Sequence, residues 1–161
     1  MMAQTHDDIR RIYDSIDSVK RLSDRIIGIG PINIIGLDGI LSWIPIPGLD
    51  TAYSLIAGGF MIIQGVRARA DITTLAAALI AILIDSGLSG LDGIIPILPA
   101  GSIADTLFQG HLYAGHMIQK DIEKTMYIEG SASEAHRSGE HQQNLADMRA
   151  TKGKKRVVYL G

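Results

Sequence analysis

Cysteine is absent from this 161-residue chain, which removes disulfides and thiolate metal sites and leaves the redox compartment open. An excess of basic charge is missing as well. Fifteen Lys and Arg stand against 17 Asp and Glu, a net charge of −2, so the composition carries no signal for nucleic acid. There is no G-x-S-x-G elbow, no phosphate loop of the Gly-x4-Gly-Lys type and no H-E-x-x-H zinc motif. Most of the 18 glycines sit in apolar arms and turns, and the one followed by a lysine, Gly153, lies outside them. Together these absences predict a protein that is not an enzyme and carries no cofactor. A cleaved leader is not in view either, because residues 5–25 are charged throughout and the apolar block begins only after them. Any membrane anchor is therefore expected to be internal.

What the chain does have is a greasy middle. Hydrophobic residues make up 47% of the sequence and mean hydropathy is +0.20, with the apolar residues concentrated between Ile26 and Ile118. Within that block a pattern occurs twice. Leu37-Asp38-Gly39-Ile40 leads through Pro45 and Gly48 to Asp50-Thr51, and Leu91-Asp92-Gly93-Ile94 leads through Pro96 and Gly101 to Asp105-Thr106. A unit repeated at such a period is usually one supersecondary element whose apolar face is closed by its neighbour.

The chain divides into three regions: residues 1–27, 28–119 and 120–161. In the first, Ile9, Ile12, Tyr13, Ile16, Val19, Leu22 and Ile26 recur at spacings of three and four, which predicts an amphipathic helix over residues 6–27 at a cytoplasmic or membrane surface. Thr5 or His6 with Asp7 and Asp8 supplies its acidic first turn. The second region is read as two hairpins, 31–66 and 72–118, divided by the charged run Arg67-Ala68-Arg69-Ala70-Asp71. Crossing the hydrocarbon core takes about 20 helical residues. The first arm, starting at Pro31 as a helix N1 residue, falls short and is expected to be re-entrant. Basic residues precede, divide and follow the block but avoid both proline turns. By the positive-inside bias both termini lie on the cytoplasmic side of a bacterial or archaeal inner membrane.

Five acids interrupt the apolar block: Asp38, Asp50, Asp85, Asp92 and Asp105. An Asp at the centre of a lipid-facing helix costs roughly 2.5–3.5 kcal/mol, so these groups must face inward, cap helices or handle cations. His111 and His116 point about 140° apart on a helix and cannot chelate one metal together, although either alone could be an axial ligand to haem or a pigment. Residues 129–143 read as solvated linker. Lys152, Lys154, Lys155 and Arg156 form a basic cluster for headgroups or an acidic partner, and the segment through Tyr159 reads as a strand seeking a sheet edge.

Gly36-Leu37-Asp38, Ile44-Pro45, Gly48 and Asp50, followed by Ile84-Asp85 and by Ile95-Pro96 with Gly101 and Asp105, resemble the pattern of the DUF4112 family over roughly residues 20–125. That resemblance implies a small membrane-associated protein of no assigned activity. The chain departs from the pattern in the spacing of both proline turns. The expectation is an all-α membrane protein of two repeated, partly re-entrant helical hairpins, with an amphipathic N-terminal helix and an extended polar C-terminal tail. Its role would be that of a non-catalytic integral membrane subunit or scaffold docking a larger complex, with the bilayer, other membrane subunits or a second copy as partners. The alternative is a small transporter that passes protons or cations along its aspartates.

Overall fold

The computed structural model describes residues 1–24, 27–28, 33–35, 49–85 and 110–161. Its elements run α1 (His6–Asp24), β1 (Ile27–Gly28), β2 (Asn33–Ile35), α2 (Leu49–Arg67), α3 (Ile72–Asp85), α4 (Gly110–Lys124), β3 (Thr125–Ile128), α5 (Ala132–Ser138), α6 (Glu140–Ala150) and β4 (Arg156–Tyr159).

The start of α1 is a reciprocal cap. The Thr5 hydroxyl accepts the Asp8 amide at 3.1 Å, while the Asp8 carboxylate accepts the Thr5 and Gln4 amides at 3.3 and 3.1 Å. The Gln4 amide above all holds the Asp8 carboxyl below its usual range. Behind the cap, Ile9, Ile12 and Ile16 bury one stripe against α2 and α4. Close approach there depends on Gly115 of α4. A methyl group at that position would stand 3.2 Å from Met61 and 3.3 Å from Ile16. On α4 the buried residues Gly110, His111, Ala114, Gly115, Ile118, Gln119 and Ile122 follow the helical period, so one face of α4 is the centre of the core.

Helices α2 and α3 pack as an antiparallel pair. Gly58 and Gly65 of α2 make room for Ile82 and Leu75 of α3. The turn between them ends α2 in a Schellman motif, in which the Ala70 amide bonds Gly65 O and the Arg69 amide bonds Val66 O, both at 2.9 Å. Arg69 takes the left-handed conformation this requires, at φ 55°. Asp71 then caps α3, accepting the Thr73 amide at 2.8 Å and its hydroxyl at 2.7 Å.

Three expectations are corrected. First, no helix among the described residues is long and apolar enough to cross a membrane, so the all-α membrane fold of spanning hairpins is not what these residues build. At 14 residues α3 is about 21 Å long, short of a hydrocarbon core of about 30 Å. Met61 of α2 and Ala114, Ile118 and Ile122 of α4 are buried in the core with the apolar stripe of α1. Second, the charged run at 67–71 is itself the turn of a hairpin, α2 with α3. The expected helix from Pro31 is replaced at Asn33–Ile35 by a strand, which pairs antiparallel with Ile27–Gly28. Third, the tail is not extended. Residues 125–161 fold as strand, two helices and strand, and β4 pairs in parallel with β3, Thr125 opposite Arg156 and Ile128 opposite Tyr159. The β-branched run sought a strand partner and found it within the chain. Gly139, at φ 85°, provides the left-handed link between α5 and α6.

Candidate functional site

The expected site residues fall in three places. Asp38, Asp92 and Asp105 lie outside the described residues, as do both proline turns. Asp50 is the second residue of α2, and Asp85 is the last residue of α3. The tail residues are described in full. Lys152 and Lys155 are exposed. Lys154 donates to the carbonyls of Glu123 and Thr125, both at 2.8 Å, and so satisfies acceptors at the end of α4. Tyr159 is buried, its hydroxyl 3.0 Å from both the His141 Nδ1 and the donating Asn144 amide.

Arg156 belongs to a polar knot that joins the tail to the α2–α3 turn. One guanidinium nitrogen donates to Asp121 Oδ2 at 2.9 Å, Arg69 O at 2.9 Å and the Thr125 hydroxyl at 3.1 Å. The same Asp121 oxygen accepts the Asp71 amide at 2.9 Å. From the other side, Arg69 donates to the carbonyls of Tyr159 and Leu160, and the Tyr127 hydroxyl donates to Ala68 O at 2.8 Å. Burial pushes the Tyr127 hydroxyl up to about 12. These contacts hold a fold together; they bring no nucleophile to a base.

A groove beside the knot has a different character. It has a volume of about 430 Å³ and runs between α3 and α4, with Thr73, Thr74 and Ala77 on one wall and His116, Met117, Lys120, Asp121 and Lys124 on the other. His116, Lys120 and Lys124 recur every four residues, which places three nitrogen side chains in one row along α4. Lys120 reaches Glu123 at 3.6 Å across exposed side chains, a weak pairing, while Glu123 also accepts the Tyr13 hydroxyl at 2.7 Å. That hydroxyl is the main reason the Glu123 carboxyl sits below its usual range. Asp121, the groove's own acid, is already neutralised by Arg156 at 2.9 Å. The wall therefore keeps a cationic balance.

The row was legible in the sequence as a four-residue repeat of basic and imidazole groups. It drew no attention as a site because its partner wall, Thr73 and Thr74, lies about 45 residues earlier in the chain. Arg69 and Asp121 carried no local signal at all. His111 is fully buried in the core and His116 lines the groove, on different faces of α4. Among the described residues no three His, Cys, Asp or Glu side chains come together to hold a metal.

Away from the core, α2 and α3 expose apolar side chains. Ile56 and Ile63 of α2 are 74% and 60% exposed, and Ile72 and Ile80 of α3 are 76% and 53% exposed. With Gly58 and Gly65 facing α3, and Leu75 and Ile82 facing α2, helical geometry puts Ile72 on the side of the pair opposite α1, Ile56 and Ile63 on the flank of α2 turned away from α3, and Ile80 on the flank of α3 turned away from α2. The groove adjoins this surface along the flank of α3.

Compared with known proteins, residues 12–122 match the model of a domain of unknown function, DUF4112. No curated protein and no solved structure matches the chain.

Proposed function

We propose that this chain, which belongs to the DUF4112 family, is a non-catalytic docking protein. It rests on the cytoplasmic surface of a bacterial or archaeal inner membrane and offers its remaining faces to subunits of a larger membrane complex. The observation that carries this reading is the exposed apolar surface of the α2–α3 pair, with Val66, Ile72 and Leu79 on its outer side and Ile56, Ile63 and Ile80 on its flanks. Contiguous apolar patches on an isolated chain mark surfaces that meet something apolar. Helix α3 has no charged residue before Asp85, yet it is too short to cross the hydrocarbon core. A helix pair of this kind suits the boundary between headgroups and acyl chains, lying in the plane of the membrane. Basic residues on the adjoining flank, Lys120 and Lys124, suit the anionic inner leaflet.

Flotation of the full chain with lipid vesicles tests the reading. Wild type is expected to float with the vesicles, and the double substitution Ile72→Ser with Ile80→Ser to stay at the bottom, with its circular dichroism unchanged because both side chains are exposed. If the wild-type chain fails to float with vesicles of any composition, or if the double variant floats equally well, membrane docking through this face is wrong.

A further inference from the structure

We infer that the α3–α4 groove is a seat for the phosphate of an anionic lipid headgroup. The inference rests on the membrane reading above and makes it specific.

The groove has the donors a phosphate needs. Lys120 and Lys124 supply ammonium groups from one wall and His116 a third nitrogen in the same row. The opposite wall offers the Thr74 hydroxyl. Phosphate oxygens are strong acceptors, and bonds to them from charged donors are short and about twice as strong as neutral ones. An acid in the groove would ordinarily repel such a ligand. Here the Asp121 Oδ2 is held by Arg156 and by the Asp71 amide, both at 2.9 Å, so its charge is spent before a ligand arrives. The other nearby acids are Glu123, which is turned to Tyr13 and Lys120, and Asp71, whose carboxylate is bound by Thr73.

Position selects a lipid headgroup over a free anion. Ala77 on one wall and Met117 on the other give the groove an apolar part, and helical geometry places the exposed Ile80 beside Ala77, one turn further along α3. A headgroup phosphate in the groove leaves its acyl chains where that apolar face already meets the bilayer. A free phosphate gains nothing from that neighbour.

The test compares vesicles of pure phosphatidylcholine with vesicles containing phosphatidylglycerol, using the full chain and the variant Lys120→Gln with Lys124→Gln. Inorganic phosphate is titrated separately while the amide signals of Thr73, Thr74 and His116 are followed by NMR. Wild type is expected to bind the phosphatidylglycerol vesicles more tightly, and the double lysine variant to lose roughly thirtyfold on those vesicles alone, which is about 1 kcal/mol for each of the two lysines. Equal binding of wild type to both vesicle types, or a variant that loses nothing, overturns the headgroup seat while leaving the apolar docking face standing. No binding to either vesicle overturns both readings. If in that case phosphate alone shifts the three amides, the ligand is a soluble phosphate and the lipid assignment is wrong.

Discussion

Arg69 ties the α2–α3 turn to the end of the tail, and it sits in a conformation that favours glycine. Its φ of 55° costs about 1 kcal/mol for a side chain with a Cβ. The compensation is its grip on the carbonyls of Tyr159 and Leu160. Two substitutions separate these effects. Arg69→Ala and Arg69→Gly both remove the guanidinium, but only Gly also relieves the left-handed strain. Urea denaturation is expected to find both less stable than wild type, with the Ala variant lower than the Gly variant by about 1 kcal/mol. Equal midpoints would mean that the turn relaxes when the guanidinium is gone. Nothing in the sequence around Arg69 announced this role. Glycine is the usual sign of a helix ending in this way, and here it is missing.

At the scale of elements, the contact between α2 and α3 depends on which of two adjacent glycines is changed. A methyl at Gly58 would come within 2.6 Å of Ile82 Cγ2 and 2.9 Å of its Cγ1, atoms that branch close to the backbone and have little freedom to turn away. Gly59 has nothing within 4 Å. Gly58→Ala is expected to destabilise the fold by about 1–3 kcal/mol through overpacking, and Gly59→Ala to stabilise it by about 0.5–1 kcal/mol through helix propensity. Thermal melts of the two variants check both signs. The same elements explain what was readable. The first helix was plain because its apolar residues recur at three and four and its cap is local. Helices α2 and α3 read as membrane arms because they are apolar on their exposed as well as their packed sides, and α4 because the face it turns to the core is apolar as far as Ile118. The sequence does not say which solvent it is built for. Helix α5 and the start of α6 read as linker, with a helical turn expected only over residues 145–149, because the buried residues Ala135 and Met148 are too sparse to set a period.

For the molecule as a whole, the joint between the tail and the α2–α3 turn gives a dependence on pH. Tyr127 of β3 lies against the end of α2, donating to Ala68 O, and burial raises its hydroxyl from 10.0 to about 12. A group whose folded value is raised lends its stabilisation fully below the unfolded value, so this contribution holds below pH 10 and fades as pH rises from 10 towards 12. Tyr127→Phe removes that slope at the cost of about 1 kcal/mol for the lost bond at neutral pH. The difference between wild type and variant, measured by denaturation from pH 8 to 12, is therefore expected to shrink across the upper part of that range. A constant difference would show that the hydroxyl titrates freely in the folded state. In acid the signs reverse. Asp71, held low by the Thr73 amide and hydroxyl, and Glu123, held low by Tyr13, support the fold above the usual carboxylate range, and that support is lost as pH falls through their depressed values.

The clasp of Arg69 on Tyr159 and Leu160 joins positions 90 and 91 residues apart. During synthesis the turn is therefore made long before its acceptors exist. A ribosome must deliver the last strand before the clasp can close, and until then the Arg69 guanidinium lacks both of those acceptors. A bilayer met during translation would greet an unclasped molecule, and one met afterwards a finished one, so the timing of that meeting is set by how far along the chain the two halves of the clasp lie.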